Sequence, residues 1–383
     1  MRRMTSDLWY RRDEDRGTTA VLVGVSFLVL VGIAAFVLDI GNLFWERRSL
    51  QNGADAAALA VAQDCAGGDC GDPQVTAAEY ASANNPRGAH IRSIEPEDVS
   101  PEDGEVTVTA ETGDEDSDGS LATWFASVIG TDETATSARA TAVWEAAGLD
   151  GAAPVTASLC DYFDDEEIDR DSLDDYAGDL PSADKYVDEG KEPETTEQIL
   201  LHDQSGGTDI EDFDECTAQP GFSEDDDLDG DGSSIRAGFG WLESTDCEVD
   251  TEDFEGSADE YDLEEDSELF WAESSGGVGD QAASCIANLQ YEAPSIPVFI
   301  DMRPDDDDSW PEEYLLYAPA AFYITDYRLP GSGEAGNGGG VGSADCEDGS
   351  NSCIEGVWVQ KSEPPSGDPG NQDLGVRSVR LEE

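Results

Sequence analysis

Apolar and polar positions are distributed unevenly along this chain. Thr18 to Leu38 reads TTAVLVGVSFLVLVGIAAFVL, carries no charge, and ends against Asp39. At ~1.5 Å per residue such a run crosses the ~30 Å hydrocarbon layer of a bilayer as a helix, a form that satisfies its own backbone groups. A cleaved signal peptide and a buried core helix are the alternatives. The run is longer than a signal h-region, and it continues into Asp39-Ile40-Gly41-Asn42 where a small-x-small cleavage site would stand. The pattern therefore predicts a retained transmembrane helix over 18–38, with Trp9 and Tyr10 before it and Phe44 and Trp45 after it at interfacial depth.

Helical spacing continues beyond the span as a stem over 39–64. Leu50, Gly53, Ala54, Ala57, Ala58 and Val61 recur on one narrow, small-residue face. Two readings stand side by side: a helix packed on its own domain, or a stem that contacts partner helices through these six residues. Residues 65–147 read as a small α+β unit. Its expected elements are a helix from Pro73 to Ala83, strands Ala89 to Ile94 and Glu105 to Glu111, a helix from Ser120 to Ile129, and a strand from Thr134 to Val143. From Gly148 the pattern breaks into apolar islands at Ile199 to His202, Phe239 to Leu242, Ile296 to Ile300, Tyr314 to Leu329 and Gly356 to Gln360. Their β-branched and aromatic content predicts short strands of a β-rich, disulfide-stapled domain over 148–383, with acidic disordered linkers between them.

Charge then sets the topology. Arg2, Arg3, Arg11, Arg12 and Arg16 precede the span and only Arg47 and Arg48 follow it closely, so residues 1–17 are the cytoplasmic tail of a single-pass membrane protein and the C-terminal region is extracellular. The net charge is −70; residues 49–383 hold 83 acidic residues against 12 basic ones. Such a surface repels nucleic acid, and with only Lys185, Lys191 and Lys361 as lysines it fits a chain that stays hydrated in salt. Eight Trp and eight Cys argue against disorder throughout.

On the oxidising side of a membrane the cysteines read as disulfides. Cys65 with Cys70 and Cys346 with Cys353 are local pairs, while Cys160, Cys216, Cys247 and Cys285 allow three pairings. No metal is expected. Asp114, Asp116 and Asp118 imitate half of a calcium loop, but Phe125 stands where the bidentate Glu belongs, and Asp225, Asp227 and Asp229 lead to Arg236 at that place. Ile199 to Gly207 resembles the metal loop of von Willebrand A domains, yet Gly207 replaces the last Ser and the alternating helices of that fold are missing downstream. With two histidines, His90 and His202, and no nucleophile elbow, zincin motif or phosphate loop, the sequence assigns no catalytic residue, no cofactor and no small-molecule substrate.

Arg16-Gly17, Asp39-Ile40-Gly41, and Arg47-Arg48-Ser49-Leu50-Gln51-Asn52-Gly53-Ala54-Asp55-Ala56-Ala57-Ala58-Leu59-Ala60 together resemble the N-terminal region of TadE/TadG-like Flp pilus assembly proteins. More loosely, ASLCDYF, GFGWL, PSIPVFID and YLLYAPAAFYITDYRLPG are similar to the extracellular region of actinobacterial-type TadG-related proteins. The resemblance implies a noncatalytic, membrane-anchored accessory component of a Tad/Flp-type pilus or secretion apparatus, with the lipid bilayer and other pilus components as partners. A cell-surface adhesin or ligand-binding module on a Tad-like anchor is the second reading.

Overall fold

The computed structural model describes residues 7–85, 89–91, 98–100, 104–112, 120–122, 133–163, 167–168, 176–188, 190–200, 215–218, 234–236, 238–244, 247–249, 251, 254–257, 269–275, 280–304, 311–329, 341–342, 344, 352–364 and 373–382. Two compact units interleave along the chain. The first comprises Met1–Ala58, Pro73–Asp98 and Thr107–Thr141; the second comprises Leu59–Asp72, Val99–Val106 and Ala142–Glu383. Neither unit follows a single cut near residue 148.

The N-terminal elements are α1 (Asp7–Ala66), α2 (Pro73–Asn84), β1 (Ala89–Ile91), β2 (Val99–Ser100), β3 (Glu105–Thr112), β4 (Ser120–Ala122), β5 (Glu133–Ala135) and β6 (Ser137–Ala146). The apolar run and the segment expected as a stem thus form one uninterrupted 60-residue helix. In the first unit α2 buries Ala77 and Ala81, and β1 lies antiparallel on the end of β3 from Ala89↔Thr112 to Ile91↔Ala110. Strict alternation along β6 buries Ala138 and Ala140 and continues into the second unit with Ala142 and Trp144, the period-2 signature of a strand with one covered face.

One local expectation is corrected here. The segment from Ser120, expected to begin a helix, is a strand whose Ser120, Leu121 and Ala122 pair with Ala135, Thr134 and Glu133. A backbone partner further along the chain decides the conformation of three residues whose own spacing fits either period. The rest of that expected helix, 123–132, lies outside the described residues, as do both calcium-loop imitations and Asp203 to Gly207.

The second unit adds β7 (Val155–Ser158), α3 (Leu159–Tyr162), β8 (Glu167–Ile168), α4 (Asp184–Val187), β9 (Glu197–Leu200), β10 (Glu215–Ala218), β11 (Ser234–Arg236), β12 (Phe239–Trp241), β13 (Glu255–Ser257), β14 (Phe270–Glu273), α5 (Asp280–Leu289), β15 (Ser295–Pro304), β16 (Pro311–Leu329), β17 (Val341–Gly342), β18 (Cys353–Val359), β19 (Lys361–Glu363) and β20 (Val376–Leu381). The expected β-rich region is present.

Its main sheet runs β12-β7-β15-β16-β14-β13. The sheet closes on itself, because Leu242 bridges Ser274, Glu243 N donates to Glu273 O at 3.1 Å, and Ser275 N donates to Trp241 O at 3.0 Å. Five strands therefore form a ring in which β12 and β14 are neighbours, leaving no free edge along that seam. The far half of the 19-residue β16 leaves the ring and carries β18, which in turn carries β9. Register shifts near Asp301 and Asp326 turn these long strands, and each Asp accepts from the next backbone N–H, at 2.7 Å from Met302 and 2.8 Å from Tyr327.

Aromatic side chains fill the space between. Trp358 packs edge-on against Tyr162 and Phe322 at 5.2 and 4.7 Å between ring centres, and its indole N–H donates to Asp161 O at 2.8 Å. Tyr162 in turn donates to Leu374 O at 3.0 Å, drawing the C-terminal segment onto the same core. The end of β6 pairs with β20 from Ala146↔Arg377 to Ala142↔Leu381, so the last strand of the chain completes a ladder begun by residue 142. Cys247 is bonded to Cys285, Cys160 and Cys353 are also disulfide-bonded, and no described cysteine is free.

Gly240 gives a direct probe of the ring, since a methyl at its Cα would overlap the buried phenol of Tyr314 across the interior. Gly240→Ala should lower unfolding stability by about 1–3 kcal/mol, the usual range for overpacking. Gly178→Ala, where nothing lies within 4 Å, is the control with little change in a urea titration followed by tryptophan fluorescence.

Candidate functional site

The features that can be assembled into a site lie along α1 and around its C-terminal end. Val21, Leu22, Phe27, Leu28, Leu30, Phe36 and Leu38 are each more than 60% exposed, and none of the most apolar 18-residue window is buried. Among the described residues, this is the one helix long and apolar enough to cross a membrane. Phe44 and Trp45 continue the exposed face just past it.

Burial begins abruptly at the stem. Leu50, Ala54, Ala57, Ala58 and Val61 are all fully buried, and Gly53 is buried with them. Inside the first unit Gly53 faces Ala81 of α2 so closely that a Cβ would stand 3.2 Å from the Ala81 carbonyl oxygen. Gln51 adds a donor to Arg139 O at 3.1 Å. The small-residue face is thus occupied by the protein's own chain. Of the two readings of this stripe, packing on its own domain describes the structure, because small side chains let any backbone approach, and α2 follows α1 after only six residues. The six residues assigned to partner-helix contact are not a free surface.

The end of α1 is built as a tight C-cap within the second unit. Asp69 N donates to Asp64 O at 3.2 Å and Gly68 N to Cys65 O at 3.1 Å, with Gly68 at φ +90°: the paired 6→1 and 5→2 bonds of a Schellman motif, for which glycine is the residue without a Cβ penalty. The Cys65–Cys70 disulfide closes across this turn. Gly68 presses on the side chain of Gln360, where a Cβ would come within 2.6 Å of Oε1.

Gln360 is only 1% exposed and fully engaged: Nε2 donates to Gly178 O at 2.9 Å and Leu180 O at 2.8 Å, and Oε1 accepts from Arg377 Nη1 at 3.2 Å. Arg377 also pairs with Asp373 at 2.6 Å and donates to Ala66 O, the last helical carbonyl, at 3.4 Å. A cation at that carbonyl is where the helix dipole favours one.

Beside this joint lies a cavity of about 470 Å³, lined among others by Gly67, Asp184, Val187, Glu292, Gln360 and Lys361. Burial and the neighbouring charge of Asp188 push the Asp184 carboxyl up. Among the described residues no group of three or more His, Cys, Asp or Glu could hold a metal. The site has no nucleophile–base pair; its polar groups tie backbone to backbone. Sequence reasoning missed Gln360, Arg377 and Asp184. The nearest signals were Gly67-Gly68 after a helical run and a basic residue in an otherwise acidic chain.

Two substitutions follow. Gly53→Leu should weaken packing of α2 on α1 by roughly 1–3 kcal/mol through steric overlap, although leucine is a good helix former; far-UV circular dichroism at rising temperature reads the loss. Gly68→Ala should open the C-cap, raising amide hydrogen exchange at 59–72 at least tenfold while exchange in β15 and β16 is unchanged.

Comparison with known families places a match on this same helix. Residues 17–64 match the family described as putative Flp pilus-assembly TadE/G-like. Comparison with curated proteins and with solved structures returns no match. The N-terminal segment of this chain, from the glycine before the apolar band into the last turn of α1, is thus similar to the putative Flp pilus-assembly TadE/G-like family.

Proposed function

We propose that the protein is a noncatalytic, membrane-anchored accessory component of a Tad/Flp-type pilus assembly or secretion apparatus. The observation that carries this is coincidence: the family match at 17–64 covers both the unburied apolar band and the packed stem of α1. In this reading α1 crosses the bilayer once, residues 1–17 stay in the cytoplasm on the strength of their arginines, and the chain beyond Asn42 works outside the cell. The acid excess keeps the exterior units hydrated and dispersed at high ionic strength, where mutual repulsion is screened. With the stem face taken up internally, contact with other pilus components falls to the exposed face of the helix and to the exterior surface.

Two measurements test it. Protease added to intact, wall-stripped cells should degrade a C-terminal epitope and spare an N-terminal one; protection of the C-terminus would reverse the orientation. A photo-crosslinking residue at Trp45, 54% exposed at the outer end of the band, should capture pilus-assembly components in living cells. Capture of lipid alone, with unchanged piliation in a deletion strain, would remove the protein from that apparatus and leave the adhesin reading.

A further inference from the structure

From the cavity beside the α1 joint we infer that the second unit binds an aliphatic primary ammonium group, as carried by a lysine side chain or a free diamine. At about 470 Å³ the cavity is in the range of small-ligand sites and far larger than a bare ion requires. Its lining includes Ala183 and Ala293, members of the buried cluster that also holds Tyr186 and Tyr323. Its lining mixes two kinds of group: Val187, Leu289 and Pro294 can take a methylene chain, while Asp184 and Glu292, both exposed, supply two carboxylates.

The charge balance of the lining selects the ligand. Lys361 also borders the cavity, but its Nζ lies 2.7 Å from Glu363 Oε1, so its charge is already answered. Among the described residues neither Asp184 nor Glu292 has an ion-pair partner. Asp188, which acts on Asp184, and Glu192, which with Glu292 acts on Tyr323, add negative charge to the surroundings, and Lys185 is turned to the Tyr186 hydroxyl at 3.3 Å. An anion would meet two uncompensated carboxylates inside a chain of net charge −70; a cation would be concentrated there. Burial pushing the Asp184 carboxyl up accords with a charge that lacks its counter-ion. Because Gly67 and Gln360 belong to both the cavity and the joint, a bound ammonium touches the residues that hold the end of α1.

The test uses the full chain in detergent micelles and two probes, Nα-acetyl-lysine methylamide and 1,5-diaminopentane, titrated by calorimetry. At least one should bind saturably, and its fully N-acetylated form, which keeps the chain and loses all charge, should not. Tighter binding of the lysine probe assigns the site to a protein's lysine side chain; tighter binding of the diamine assigns it to free amines. Asp184→Asn with Glu292→Gln should weaken binding at least tenfold, and Glu79→Gln on the exposed face of α2 should leave it unchanged. Absence of binding by both probes, equal binding of the acetylated form, or equal weakening by Glu79→Gln would each overturn the assignment. The acetylated-probe comparison on the unaltered protein decides the matter even if the double variant fails to fold.

Discussion

Within the second unit, one buried amide packs against the turn that ends the long helix. Gln360 stands between β18 and β19, where the chain changes from one sheet to another, and its side chain spans the gap between the 178–183 segment and Arg377. Its backbone is fixed as well, donating to Pro181 O at 2.9 Å and accepting from Ala183 N at 2.8 Å. An amide with both donors and its acceptor used in a dry environment is a strict geometric constraint, since each bond lost leaves a buried polar group at a cost of roughly 1–3 kcal/mol. The Schellman turn of α1 then fits against that amide because Gly68 has no side chain. Only after these positions are set does the cavity beside them acquire its shape.

A second constraint is the scarcity of cations. A chain with 89 acidic and 19 basic residues cannot neutralise its surface by pairing, and several of its described cations act where they join separate segments. Arg377 joins the C-terminal strand to the end of α1, Arg380 joins it to Glu145 of β6, and Arg303 lies 3.7 Å over the ring of Trp271 while pairing with Glu313. Exposed ion pairs contribute little each, and those of Arg380 and Arg303 are half exposed. Their contribution is to register. The stability of the second unit comes from its apolar interior, where Trp358, Tyr162, Phe322 and Phe299 are almost wholly buried.

What could be read from the sequence follows from the range of the forces involved. The apolar band, the stem and α2 were legible because periodicity over many turns is a local property; the islands that became β12, β15, β16 and β18 were legible because β-branched and aromatic residues cluster there. The Ser120 strand was not, because three residues fit either period and their partners are 11 to 15 positions away. Closure of the ring was invisible for the same reason: nothing in Leu242 or Ser274 advertises the other. β20 was missed because VRSVRL is short, basic and lacks strict alternation, and its strand conformation comes from pairing with β6.

The stem marks the sharpest limit of sequence reading, and the reason is chemical. Gly53, Ala54, Ala57 and Ala58 lower the distance of closest approach, which is a property of the helix alone, but the identity of whatever approaches is a property of the whole fold. Here the approaching backbone is Ala81, brought back by the turn that Cys65 and Cys70 close. A stripe of small residues after an apolar helical band is therefore compatible with two opposite roles, a surface for partners and a seat for the protein's own second helix. In this chain the second role is filled, and what α1 leaves exposed is the helical band before Glu46.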